Sequence, residues 1–159
     1  MLSVDTSTEC ESWRGPLPDP DGFAREVLER AGFGGEDAEV SILFADDAFV
    51  RGLNARWRGQ DKPTNVLSFP AVGGGPGPRS LGDIVLAYET VAREAEAAGR
   101  PFLHHTVHLL VHGFLHLLGY DHETDADAAV MEACEVRILE TLDIPDPYAE
   151  NAASIQNSA

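Results

Sequence analysis

The chemistry in this sequence is concentrated in its imidazoles. All six histidines, His104, His105, His108, His112, His116 and His122, fall within one stretch of nineteen residues. A lone histidine on an apolar face is usually a satisfied core residue, but six in one short stretch point to metal. Four residues advance an α-helix by one turn plus about 40° and rise about 6 Å, so His112 and His116 can face one ion. His108 and His116 stand about 12 Å apart along such a helix, too far for two bonds of about 2.0–2.1 Å to one zinc ion. A third ligand must come from beyond a turn. Gly119 permits one, and His122 follows it. The outcome is H-x-x-x-H-x-x-x-x-x-H, three neutral nitrogens with a position left for water. That openness marks a catalytic centre, whereas structural zinc sites are usually closed and rich in thiolate.

The same spacing occurs in zinc peptidases of the pattern H-E-x-x-H-x-x-G-x-x-H, where the residue after the first histidine is the general-base glutamate. Here that residue is Gly113. A peptidase-like metallohydrolase is therefore the weaker reading, although a water acidified by the metal to a pKa of about 7 can attack without that base.

Charge restricts the partners. Lys and Arg number 11 against 27 Asp and Glu, a formal net charge of −16. Phosphate affinity comes from clustered cations, so this balance alone argues against nucleic acid and describes a solubilising acidic surface. The cations are uneven, however: Arg51, Arg56, Arg58 and Lys62 share twelve residues with one acid, Asp61. Any RNA contact should be confined to that island and the metal cleft, with a shallow salt dependence.

Residues 53–70, L-N-A-R-W-R-G-Q-D-K-P-T-N-V-L-S-F-P, and the run 112–122, H-G-F-L-H-L-L-G-Y-D-H, together resemble the YbeY family of bacterial rRNA maturation factors. Leu81-Gly82-Asp83-Ile84 and Asp146-Pro147-Tyr148 resemble it too, so the likeness spans roughly residues 38 to 148. It implies a single-strand-specific endoribonuclease with one bound metal, generally zinc. It also implies a role in maturation of the small-subunit rRNA 3′ end and in ribosome quality control, with rRNA precursor and the small ribosomal subunit as partners. The ligands carry over at His112, His116 and His122, and the family's functional arginine falls at Arg58. An assembly factor with a merely structural metal is the alternative from a different class.

Single residues admit two readings each. Arg58 is a phosphate clamp or a solvated helix end. Arg51, Arg56 and Lys62 place an RNA backbone or simply lie on the surface. His108 hydrogen-bonds behind a ligand, donates a proton to the leaving oxygen, or is a core histidine. Asp121 orients an imidazole or water, or stabilises a turn. Cys134, at helical spacing with Val130 and Ile138, reads as core.

The elements that must position these groups are legible from periodicity. Strands are expected at Leu2 to Ser7, Val40 to Ala45, Val66 to Phe69 and Gly82 to Ala87. Helices are expected at about Asp21 to Ala31, after Asp46 or Asp47 with Phe49, Val50, Leu53 and Trp57 on one face, at Tyr88 to Ala98, through the histidine run, and at about Thr124 to Leu142. Residues 72–79, V-G-G-G-P-G-P-R, read as an exposed loop. The expected fold is α+β (mixed α/β), a single domain over residues 1–148 with about four strands in a mixed sheet and four to five helices, and residues 149–159 as a flexible tail. Two cysteines in no CxxC pattern, no apolar leader and no membrane span lead to a cytoplasmic expectation.

Overall fold

The computed structural model describes residues 2–32, 37–71 and 77–149. Four strands, β1 (Leu2–Thr8), β2 (Ala38–Ala45), β3 (Val66–Pro70) and β4 (Arg79–Ala87), form one sheet in the order β1-β2-β4-β3. β1 and β4 both run parallel to β2, while β3 closes antiparallel on β4, with Leu67 opposite Val85. The sheet is therefore mixed, as expected.

Five helices connect and cover it: α1 (Pro20–Arg30), α2 (Asp47–Arg58), α3 (Tyr88–Ala98), α4 (Phe102–Leu117) and α5 (Asp125–Thr141). Their starts follow from local chemistry. Pro20 opens α1 behind Asp19, whose carboxylate accepts from the Gly22 amide, and proline is tolerated there because that N–H has no helical partner. Asp46 caps α2 by accepting from the Phe49 amide at 2.8 Å, and Thr124 caps α5 through the Asp127 amide at 3.0 Å.

Period-two alternation decides the faces. Val4, Val40, Ile42, Phe44, Ile84 and Leu86 point to one side and join α1, α4 and α5 in the main core. Leu67, Val85, Ala45 and Ala87 point to the other, where α2 contributes Val50. α4 packs directly on β3 and β4, so the histidine helix is bedded on the antiparallel edge of the sheet.

Several expectations shift. Phe49, Leu53 and Trp57 do share a face of α2, but Phe49 and Trp57 are 43% and 62% exposed; Val50 and Asn54 are the buried positions. The sheet offers α2 only a narrow contact, so the rest of its apolar stripe borders an open groove with Leu43, Phe69 and Val85. In α5 Ile138 is buried and Cys134 packs against the core, as expected, whereas Val130 is 57% exposed and Met131, Glu135 and Leu139 complete the inward face. Of the expected loop, residues 72–76 lie outside the described residues, and Arg79 already belongs to β4. The expected tail lies outside them from residue 150 onward.

Candidate metal centre

α4 is apolar on nearly every side, as a helix sunk in the core should be. His112 and His116 border an opening, a cavity of about 490 Å³. After α4 the chain turns at Gly119, whose φ of 104° lies in the region that favours glycine, and His122 returns to the same opening. One ring nitrogen from each of His112, His116 and His122 lies within 4.8 Å of the others.

The hydrogen bonds set which nitrogens face that point. His116 Nδ1–H donates to the Tyr120 carbonyl at 3.0 Å, and His112 Nδ1–H donates to Glu135 Oε2 at 3.2 Å. Both rings therefore present bare Nε2 lone pairs, and these stand 3.2 Å apart with no hydrogen between them. Two nitrogens bound to one tetrahedral zinc ion at about 2.0–2.1 Å would lie about 3.3 Å apart. Burial first, and then the adjacent His112 and His122, push His116 below the ordinary histidine value, so its ring stays neutral. The donor set fits a divalent metal ion.

Behind His112 lies a residue that the sequence reading missed. Glu135, wholly buried in α5, accepts from His108 Nε2–H at 2.6 Å and from the Tyr148 hydroxyl at 2.7 Å on Oε1, while Oε2 holds His112. Burial would raise this carboxyl, but the hydrogen bonds from His108, His112 and Tyr148 outweigh it and hold it down to about 2. Tyr148 is pushed well above its ordinary value by burial and then by Glu135, so its phenol remains a donor. The available signal was an acid in the middle of the apolar i, i+4, i+8 series Met131, Glu135, Leu139.

The remaining candidates divide clearly. Arg58 ends α2 on the wall of the histidine cavity, its guanidinium 3.4 Å from the Ser68 carbonyl. Lys62 shares a smaller hollow with Arg58. Arg51 is held away in a two-pronged pair with Asp61, at 2.7 and 3.1 Å, and Arg56 lies over the Trp57 ring; neither borders the cavity. His108 is also absent from the cavity wall and sits behind His112. Asp121 lines the cavity and accepts from the Glu123 amide at 3.3 Å, a turn contact. His105 is buried against Glu94 at 2.9 Å, remote from the trio.

Gly113 has a packing reason. A Cβ there would lie 2.9 Å from Ser68 Oγ and 3.1 Å from Ile84 Cγ2, because α4 meets the sheet at this residue. Ser68 Oγ donates to the Gly113 carbonyl at 3.1 Å, closing the contact. The position that carries the general base in peptidases of this spacing is here pressed against β3 and β4.

A mixed four-stranded sheet, with three convergent imidazoles on α4 and the turn that follows it, defines an α+β protein with an open histidine site that could hold a metal ion, faced by Arg58 at the end of α2. The chain belongs to the Endoribonuclease YbeY family, whose model matches residues 21–143. Relatives named Endoribonuclease YbeY include one from Methylocella silvestris, 49% identical over 97% of this chain and 90% of its own length. Another, from a Bradyrhizobium species, is 51% identical over 89% of each. One from Rhodopseudomonas palustris is 57% identical over 76% of this chain and 73% of its own. The solution structure of a Thermotoga maritima protein shares the fold, with a TM-score of 0.51 at 21% identity over 90% of this chain and 92% of that one. Among the described residues, no helix is long and apolar enough to cross a membrane.

Proposed function

We propose that this chain is a metal-dependent endoribonuclease that cuts single-stranded RNA in the cytoplasm. Its substrate is rRNA precursor on the small ribosomal subunit, near the 3′ end, in maturation and quality control. The observation that carries this reading is the shared cavity: three histidine nitrogens that can hold one ion, with Arg58 on the same wall. Membership of a family whose members are named endoribonucleases supports the substrate class.

His112, His116 and His122 would hold a zinc ion, whose chemistry when bound is Lewis acidity toward a phosphoryl oxygen and toward water. Arg58 binds the scissile phosphate through paired N–H groups and stabilises the charge that grows on its oxygens during in-line displacement. Lys62, one hollow away, holds an adjoining phosphate. Glu135 keeps the His112 lone pair directed at the ion, and His108 supports Glu135 from behind rather than passing a proton to the leaving oxygen. Asp121, on the cavity wall beside His122, is placed to orient the attacking water. The packed Gly113 position speaks against a peptidase.

The test is cleavage of labelled single-stranded RNA by purified protein. Activity should disappear with chelator and return with zinc. Arg58→Ala should lose on the order of 10²–10³ in rate, the usual cost of removing a donor to a developing anion, while still binding one metal ion. Robust cleavage by nuclease-free His116→Ala protein would refute the assignment.

A further inference from the structure

We infer that Glu135 is a positioning residue that fixes the tautomer of His112, and that Tyr148 and His108 exist around the site to fix Glu135. The inference rests on reading the histidine trio as a metal centre.

The argument is a count of protons. A ligand imidazole can offer Nε2 to a metal only if its hydrogen sits on Nδ1. At His116 a backbone carbonyl enforces this, because a carbonyl can only accept. At His112 the enforcing group is Glu135, through Oε2. A carboxylate would serve only if ionised and unable to rotate, and it is fully buried. The two donors on Oε1, His108 Nε2–H at 2.6 Å and the Tyr148 hydroxyl at 2.7 Å, supply both conditions. They stabilise the negative charge, and they come from α4 and from the segment beyond α5, so rotation of the carboxylate would break both. Among the described residues the buried His108 Nδ1 has no partner, so placing the hydrogen on Nε2 leaves no stranded N–H there.

This makes Glu135→Gln a specific perturbation, since an amide is nearly isosteric but carries hydrogens on one end. With the amide nitrogen toward His112, its N–H donates to Nδ1, the imidazole hydrogen moves to Nε2, and the lone pair for the metal is lost. With the nitrogen toward His108 and Tyr148, two donors face a third, and His108 must move its hydrogen to the partnerless Nδ1. Neither orientation satisfies the network. Glu135→Asp keeps the charge and all acceptors at a shorter reach.

The experiment measures Zn²⁺ affinity by competition with a chromophoric chelator for wild type, Glu135→Gln and Glu135→Asp, alongside imidazole tautomers of the metal-free wild type by ¹H–¹⁵N NMR. Glu135→Gln should bind Zn²⁺ about 10–100-fold more weakly, the usual cost of removing such a partner, and Glu135→Asp should retain more affinity than Glu135→Gln. Metal-free wild type should show His112 with its hydrogen on Nδ1. Zn²⁺ affinity of Glu135→Gln within twofold of wild type, or tighter than that of Glu135→Asp, overturns the inference. So does a wild-type His112 hydrogen on Nε2, a measurement that stands even if a variant does not fold. Wild type that binds Zn²⁺ with these properties yet cleaves no RNA would sink the proposed nuclease function and leave the positioning role intact. Wild type that binds no Zn²⁺ removes the metal centre itself.

Discussion

Substituting Gly113 by alanine tests whether the histidine helix is held on the sheet by the missing side chain. The new Cβ would meet Ser68 Oγ at 2.9 Å, Ile84 Cγ2 at 3.1 Å and Val66 Cγ2 at 3.4 Å. All three are side-chain atoms, so the contact can relax, but Ser68 must turn away from the Gly113 carbonyl it now donates to. Overpacking of a tight core costs about 1–3 kcal/mol. Loss of the Ser68 hydrogen bond adds about 1 kcal/mol. Against this, alanine is favoured over glycine inside a helix by about 1 kcal/mol. The net expectation is a destabilisation of about 1–3 kcal/mol, read as a lower urea midpoint at unchanged slope in chelator-treated protein. Adding Ser68→Ala removes the nearest clashing atom, so the double variant should lose less than the sum of the two single losses. An unchanged or raised midpoint for Gly113→Ala would show that the close approach is not what excludes a side chain. Gly113→Glu, which writes the peptidase pattern into the sequence, should then lose more stability than Gly113→Ala and acquire no peptidase activity, as a digest of a peptide library would report.

Other expectations are independent of that contact. Arg51→Ala should change RNA affinity less than about twofold, because Arg51 is committed to Asp61 away from the cavity, whereas Lys62→Ala should weaken binding and flatten the salt dependence. Burial, opposed by Glu94, places His105 below the ordinary histidine value of 6.5. The unfolded chain then takes up this proton first, so stability is retained above pH 6.5 and falls as the pH drops below it. His105→Gln should reduce the difference in urea midpoint between pH 7.5 and pH 5.5. Chelation should lower the melting temperature without abolishing the far-ultraviolet circular dichroism of the fold, since the sheet and its core do not run through the ligands.

The contrast between what sequence reading found and missed has physical causes. The trio was legible because helical geometry excludes His108 and a glycine turn admits His122, both of which are local facts. The strands were legible because their alternation, as in Val40, Ile42 and Phe44, is a direct record of which side is buried. Glu135 was invisible for the opposite reason. Its role depends on α5 lying against α4 and on Tyr148 returning from beyond α5, contacts between residues 23 and 13 positions apart. The apolar spacing of Val130, Cys134 and Ile138 also draws the eye to a series one residue away from the one that carries Glu135. In α2 the expected shared face of Phe49, Leu53 and Trp57 is present, but how much sheet covers it depends on strands distant in sequence.

The unequal mounting of the three ligands has a kinetic consequence. His112 and His116 are a rigid pincer, pre-set on one helix in the core and each tied at Nδ1, so closing them on an ion requires almost no ordering of the chain. His122 is an exposed arm beyond Gly119, outside the helix that carries the other two. His112 and His116 would hold an ion as a bidentate pair, and His122 would add its bond with the high effective concentration of a short tether. Stiffening that arm, by shortening the conformational freedom of residues 119–121, should slow metal release and tighten equilibrium binding by a similar factor. The turn at Gly119 would thus govern how long a bound ion stays, and α4 where it sits.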